Sequence, residues 1–310
     1  TYYAQHAKGN KPGGFNTDAE NARIQPADRA ALATLGLRSF DEEEADSFEI
    51  GFKSRLFDRR VQLNTALYLI DWTNQQLTQT GPVLEEGRPV GAPTQPQFGT
   101  SYTANLGKSE VRGVEMEMLA ALGPHWNLRM TYAYQDAKIK EYFSSDQADL
   151  IFSGPYTGCI AGSQCYADYL AAGDLGGNVL PRVPKHLASA SLAAKYPLGS
   201  WGTFNWRADY SYEASRYVQV HNLAETGDAH VVNMRLGIER DAWSATLWVN
   251  NLTDDDTVID VMRTVNPGVF LVVPVQPPLP GTVSATNPRD FAVTLADRRM
   301  FGLTLMYRFR

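Results

Sequence analysis

No run of apolar residues in this 310-residue chain approaches the roughly 18 that a membrane-crossing helix needs. That absence excludes helical spans and leaves strands open. A strand that crosses a bilayer shows lipid only every second residue, so a barrel averages out as polar. The mean hydropathy of −0.30 fits a barrel and a soluble protein alike. Positive charge is in deficit, with 28 Lys and Arg against 34 Asp and Glu and a net charge of −6. There is no basic footprint for a nucleic acid, and none is expected as a partner. Cysteine is scarce. Cys159 and Cys165 lie in one glycine-rich stretch, where a local disulfide formed in an oxidising compartment is expected and two free thiols are the alternative. A metal site is not expected there, because no histidine lies close in sequence. His6, His125, His186, His221 and His230 are scattered without zinc spacing. No cofactor or metal is therefore expected. No leader is read in its first residues. The chain opens at Thr1-Tyr2-Tyr3-Ala4-Gln5-His6-Ala7, already in a strand-like pattern, and reads as a start inside a larger protein.

What is present is alternation. Phe48, Ile50, Phe52 and Leu56 fall on one face of a strand, and Glu49, Gly51, Lys53 and Arg55 on the other. Val114, Met116, Met118, Ala120 and Leu122 interleave with Gly113, Glu115 and Glu117. Phe204, Trp206, Ala208, Tyr210 and Tyr212 oppose Asn205, Arg207, Asp209, Ser211 and Glu213. The same period recurs over Val61–Leu69, Trp126–Tyr134, Ala188–Tyr196, Val232–Ile238, Trp243–Val249 and Phe301–Phe309. With the opening segment this makes about ten strands, most near the length that crosses a bilayer at a tilt.

The connections sort by length. Short turns fall at 58–60, 123–125, 197–202 and 240–242; long ones at 10–45, 80–107, 143–183 and 252–297, with 221–229 intermediate. Outer-membrane barrels have short periplasmic turns and long extracellular loops, so strands after a short turn run outward and the last strand runs inward. Trp126, Tyr196, Trp201, Trp243 and Phe309 lie beside short turns, while Tyr132, Tyr134, Tyr210 and Tyr212 lie toward long loops. Two aromatic girdles flanking an apolar band are the expected pattern. A soluble β-protein with these aromatics in its core would have to explain the Arg, Glu, Asp and Lys on the opposite face. The fold expected is all-β, an antiparallel transmembrane β-barrel. An open sheet would leave bare edges that hydrocarbon does not tolerate, so the strands belong to a larger barrel or close on themselves.

Several segments resemble TonB-dependent receptors of the outer membrane. They are Tyr3-Ala4-Gln5 through Lys8-Gly9-Asn10-Lys11-Pro12-Gly13-Gly14-Phe15-Asn16, Phe48-Glu49-Ile50-Gly51-Phe52-Lys53, Ala66-Leu67-Tyr68-Leu69-Ile70-Asp71-Trp72, Gly113-Val114-Glu115-Met116-Glu117 and Asn250-Asn251-Leu252-Thr253-Asp254. The stretch Arg299 to Phe309 is similar to the family's closing strand, although Arg310 follows Phe309 where the family usually ends on an aromatic. The resemblance implies about the last ten strands of a barrel of about 22 strands, with residues 1–310 as one C-terminal portion. The N-terminal plug and the short box that binds the energy-coupling protein are then outside the chain.

The resemblance implies a non-enzymatic receptor in the outer membrane of a Gram-negative cell. Its partners would be membrane lipid, a scarce small-molecule ligand and, through plug and box, the energy-coupling complex of the inner membrane. A ferric siderophore is the commonest ligand in such families; cobalamin, haem and oligosaccharides are the others, and a passive porin is a further alternative. Tyr156, Tyr166 and Tyr169 in the 143–183 loop are candidates to stack on a ligand. An outer-membrane hydrolase would need an acid–base set, for which Asp209, Glu213 and His221 are the nearest candidates. Asp254-Asp255-Asp256 is read as a solvated loop top, since no calcium-loop spacing follows it, and Glu42-Glu43-Glu44 is likewise read as a solvated run. Pro12-Gly13-Gly14 is expected to bend tightly with a glycine at positive φ. The proline-rich stretch 267–288 is read as an extended loop, with a short strand near Val269–Val273.

Overall fold

A computed structural model of the chain describes residues 1–16, 38–80, 101–144, 147–148, 162–265, 271–274, 283–286 and 289–309. The strands are β1 (Tyr2–Lys11), β2 (Gly14–Phe15), β3 (Ser39–Phe40), β4 (Glu43–Leu56), β5 (Val61–Thr80), β6 (Ser101–Ala121) and β7 (Trp126–Glu141). Helix α1 (Gln164–Gly173) follows, then β8 (His186–Pro197), β9 (Thr203–Glu213), β10 (Ala229–Arg240) and β11 (Trp243–Asn250). The last are β12 (Val258–Val265), β13 (Leu271–Pro274), β14 (Val283–Thr286), β15 (Arg289–Leu295) and β16 (Met300–Tyr307). Ten of them make one sheet in the order β1-β4-β5-β6-β7-β8-β9-β10-β11-β16. Every register described in that sheet is antiparallel. The other six form two-stranded ribbons, β2 with β3, β12 with β15 and β13 with β14, all inside the expected long loops. β13 realises the short loop strand expected near Val269–Val273.

The short turns lie where the sequence places them, and each includes backbone at positive φ. Phe57, Asp58 and Arg59 sit at φ 52, 53 and 67, and Asp241 at φ 47. Gly202, at φ 100, admits no side chain, because a Cβ there would stand 2.3 Å from the Glu239 carbonyl oxygen.

The chain divides into two compact units. Unit 1 comprises Thr1–Ser54, Asn64–Glu115 and Tyr134–Val183; unit 2 comprises Arg55–Leu63, Met116–Ala133 and Pro184–Arg310. In unit 2 the register aligns one apolar row: Ala194 faces Trp206, Trp206 faces Leu236, Leu236 faces Leu247 and Leu247 faces Leu303. One residue away, the opposite side of the sheet carries Arg207, Arg235 and Trp248. In unit 1, Tyr2, Ala4 and His6 of β1 face Phe52, Ile50 and Phe48 of β4. Toward the long-loop end the apolar side turns ionic, where Lys8 Nζ meets Glu44 at 2.9 Å. On the other side of β1, Tyr3 covers Gly51, its direct partner, and donates to Glu49 at 2.6 Å.

Among the described residues the sheet strands bury few large apolar side chains. Tyr169 and Leu175 are the largest fully buried side chains among the described residues, and both lie in the 142–183 connection. Ile50 and Leu303 are each 57% exposed and Leu305 is 71% exposed. Leaving such a side chain in water forfeits about 1.5–3 kcal/mol relative to burial. A soluble protein would not accept that on strand after strand, whereas a lipid-facing sheet removes the cost.

Aromatic pairs mark both ends of the apolar side. Beside the short turns Trp126 donates to the Tyr196 hydroxyl at 2.6 Å and packs edge-on against Trp206 at 5.5 Å. Toward the long loops the Tyr132 and Tyr210 hydroxyls lie 2.9 Å from Nδ1 of His186 and His230. These are the expected girdles, with histidine added to the outer one.

Candidate functional site

In barrels of this architecture the surfaces that can meet a solute are the polar side and the loops at the long-loop end. Within unit 1, that end is built on β4, β5 and β6, which run beyond the apolar band. Glu43 is buried and accepts from Trp72 Nε1 at 2.9 Å and from the Gln76 amide at 2.6 Å. Gln76 Nε2 donates to the carbonyls of Pro12 and Asp41 at 2.9 and 3.0 Å. Asn105 closes on Asp41 from both sides, accepting from its amide at 2.7 Å and donating to its carbonyl at 2.9 Å. These bonds hold the entry of the first long loop against the sheet. Gly13 and Gly14 belong to the same corner, but neither sits at positive φ. They are small because Phe40 crosses them: a Cβ at Gly14 would stand 2.6 Å from the Phe40 ring. The expected left-handed bend is thus replaced by a close approach.

The 142–183 loop of unit 1 carries its own core. Ser163 caps α1 by accepting from the Tyr166 amide at 3.2 Å. Tyr169 is 1% exposed and packs with Ala148, Phe143, Cys165 and Tyr166. Asp174 holds the following turn by accepting from the Gly176 amide at 2.8 Å. Tyr169 therefore serves as the anchor of the loop and is not available to stack on a solute. Tyr166 is partly buried against the same cluster, and Tyr156 lies outside the described residues. Cys165 is in a disulfide; Cys159 also lies outside the described residues.

Unit 2 contributes two further loops. Residues 214–228 fold back as a ribbon, in which Thr226 donates to the Arg216 carbonyl at 2.9 Å and Val218 to that of Ala224 at 3.1 Å. Arg216 pairs with Glu213 and reaches the Ile259 carbonyl at 2.8 Å. Asp209 is bonded by Arg207. Asp209 and Glu213, weighed as parts of a hydrolytic set, are thus each committed to an arginine.

At the top of β11 Asn251 makes a clasp. Asn251 is buried at φ 51, donates to the carbonyls of Asp255 and Asp297 at 2.7 Å each, and accepts from the Asp255 amide at 2.9 Å. Asp254 accepts from the Arg299 amide at 2.9 Å and from Arg298 Nη2 at 3.0 Å; Asp256 accepts from Arg298 Nη1 at 2.8 Å. Asp255 accepts from the amides of His230 and Thr257 at 2.7 and 2.9 Å. The acidic run expected to be a solvated loop top is instead the latch of the last long loop. Each of its carboxylates takes at least one protein donor. The Asp254 carboxyl is held below its usual range, first by the Arg299 amide, against some loss of solvation, and then by the Arg298 and Arg299 charges. For Asp255, partial burial acts upward, but the Thr257 hydroxyl and the two backbone amides outweigh it and the carboxyl is again lowered. Sequence reasoning missed this latch because Arg298 and Arg299 lie more than forty positions from Asp254.

The chain is similar to known proteins along its length. Residues 1–252 match the family described as TonB dependent receptor-like, beta-barrel. A probable TonB-dependent siderophore receptor, PiuA of Acinetobacter baumannii, is 24% identical over 187 residues, which cover 60% of this chain and 19% of that protein. The ferric yersiniabactin uptake receptor FyuA of Yersinia pestis superposes with a TM-score of 0.62 at 16% identity, over 100% of this chain and 35% of that one. The crystal structure of PiuA from Acinetobacter baumannii gives 0.58 at 19% identity, over 98% of this chain and 33% of that one. The chain thus spans about a fifth of the curated relative and about a third of these solved structures, and the plug is outside it. At such identities the superpositions speak for the fold, and the match over most of the sequence speaks for descent: the chain belongs to the TonB-dependent receptor β-barrel family.

Proposed function

We propose that the protein carrying this chain imports a ferric siderophore across the outer membrane, with energy supplied from the inner membrane through its plug and N-terminal box. Residues 1–310 supply the C-terminal portion of the barrel and some of the loops that meet the ligand. The observation that carries the reading is the family match over residues 1–252, on a sheet whose apolar side is exposed and whose other side is polar. The siderophore enters because PiuA and FyuA are named as siderophore and ferric yersiniabactin receptors. Within each unit the described parts of these loops are held by internal hydrogen bonds or a small core of their own, which supports the reading.

The test is growth of a deletion strain on a panel of ferric chelates, haem, cobalamin and glycans, followed by labelled uptake of any hit. The expected result is loss of uptake of one ferric chelate, restored by the intact gene and abolished by a protonophore. Loss confined to cobalamin, haem or a glycan would replace the ligand. Uptake that persists under the protonophore would point to a passive pore, and unchanged uptake of every solute would contradict transport.

A further inference from the structure

In unit 2 the loop after β9 and the loop after β11 are joined side by side. Arg216 divides its guanidinium between them. Nη1 pairs with Glu213, the last residue of β9, and Nη2 donates to the Ile259 carbonyl of β12 at 2.8 Å, across 43 positions of sequence. Beside it the Gly227 amide donates to the Val258 carbonyl and the Thr257 hydroxyl to the Asp228 carbonyl, each at 3.2 Å. The two loops approach closely enough that a Cβ at Gly227 would stand 2.8 Å from Thr257 Cγ2. Burial follows the same side. Val218 is buried. Val261 is 8% exposed, whereas Val293, its direct partner on β15, is 56% exposed. The β12–β15 ribbon is thus covered along β12, the strand that meets 214–228, and bare along β15.

We propose that Arg216 is a strap that makes the 214–228 ribbon and the β12–β15 ribbon one mechanical body, so that a displacement of either is carried to the other and to the end of β9. Coupling between sites travels through contacts in series, and here the series is complete. Glu213 fixes one end on a strand of the sheet, Arg216 joins it to Ile259, and the Ala296 amide closes on the Thr257 carbonyl at 3.0 Å, which ties β12 to the chain returning from β15. The exposed row of Val293 and Leu295 is the far end of that body. A guanidinium suits the part, because its rigid fork donates in several fixed directions at once. One branch meets a carboxylate, and another meets a carbonyl of the neighbouring loop. The backbone bonds beside it set the spacing of the two loops, and Arg216 is the side chain that links both of them to β9.

The experiment uses the full-length protein in a bilayer, with nitroxides on Leu223→Cys and Met262→Cys, two exposed positions, one on each ribbon. Dipolar spectroscopy then reads the distance between the ribbons. The expected result is one narrow distribution in the parent and a broad one after Arg216→Gln. Hydrogen exchange gives the second readout. Amides of β12 and β15 should exchange about tenfold faster in Arg216→Gln, although the substitution lies in the other loop, while those of β8 stay unchanged. A broad distribution in the parent overturns the proposal, and that measurement needs no variant to fold. A narrow distribution that Arg216→Gln leaves unaltered, or faster exchange confined to 214–228, overturns it too. No ligand takes part in either readout, so failure here is separate from any failure of the uptake assay.

Discussion

The indole of Trp248 lies across Gly302, its direct partner on the last strand, so that a Cβ at Gly302 would stand 2.4 Å from the ring. The ring is pinned there by a 3.2 Å hydrogen bond from Nε1 to the Thr304 hydroxyl. Tyr3 over Gly51 and Tyr68 over Gly113 repeat the arrangement, with a Cβ meeting the rings at 2.6 and 2.3 Å. Glycine in a strand weakens it, and an aromatic neighbour that fills the gap recovers the loss.

Gly302→Ala is therefore expected to displace the indole, break its bond to Thr304 and destabilise the β11–β16 pair by about 1–3 kcal/mol. Gly51→Ala should cost more, because its Cβ would also meet the Thr65 carbonyl oxygen at 2.7 Å, and backbone yields less than a ring. Urea unfolding of the refolded protein in detergent, read by tryptophan fluorescence, checks both the loss and the order. Equal stability of Gly302→Ala and the parent would show that the ring is not confined.

The Asp254 and Asp255 latch gives a pH dependence of known sign. Both carboxyls are lowered in the folded loop. Their stabilisation is therefore complete above the unfolded carboxylate value near ~3.9 and is lost as pH falls through the lower, folded values. Loop order should be flat from neutrality down to mildly acidic pH and should drop below about pH 4. Asp254→Asn should remove part of that drop, since the amide keeps an acceptor for the Arg299 amide but has no charge for Arg298. Spin labels on the 252–257 turn, followed against pH, read the change directly. An equal acid transition in Asp254→Asn would assign it to other groups.

Cys165 supplies a covalent test of the 142–183 loop. Its expected bond to Cys159 closes a short loop, worth about 2–3 kcal/mol on chain-entropy grounds. Peptide mapping without reductant should recover the two cysteines in one linked product. Reduction, or Cys165→Ala, should loosen α1 and raise the exposure of Tyr169 while the sheet stays intact. Proteolysis of the loop before and after reduction separates those effects. A map in which the two thiols are free would contradict the pairing.

The sheet was legible because a membrane strand writes its two environments into alternate residues. Phe204 to Glu213 and Trp243 to Asn250 show this at full strength, and their neighbours in the structure match. Legibility fell where the lipid ended. The outer parts of β5 and β6 continue past the apolar band, and the face of β6 that carries Val114 carries Lys108, Glu110 and Arg112 above it. Alternation of apolar with polar residues vanishes there, and Asn74 at φ 54 interrupts the regular backbone. The rim was less legible still, because its order comes from contacts between distant segments. Tyr169 looked like a free loop aromatic and is an anchor; Asp254 looked solvated and is held by arginines far along the chain. Gly13 and Gly14 looked like a turn and are clearance for Phe40.

Nitroxide scanning of β11 in a reconstituted bilayer bears on the barrel itself. Labels placed singly from Trp243 to Asn250 should collide with oxygen most at Trp243, Ala245, Leu247 and Val249, and with a water-soluble nickel complex most at Ser244, Thr246, Trp248 and Asn250. Two opposed patterns of period two are the expected result, with lipid on one side of the strand and water on the other. Profiles without alternation, or both probes shut out at Leu247, would mean that these apolar side chains point into a protein core and that the strand does not line a membrane barrel.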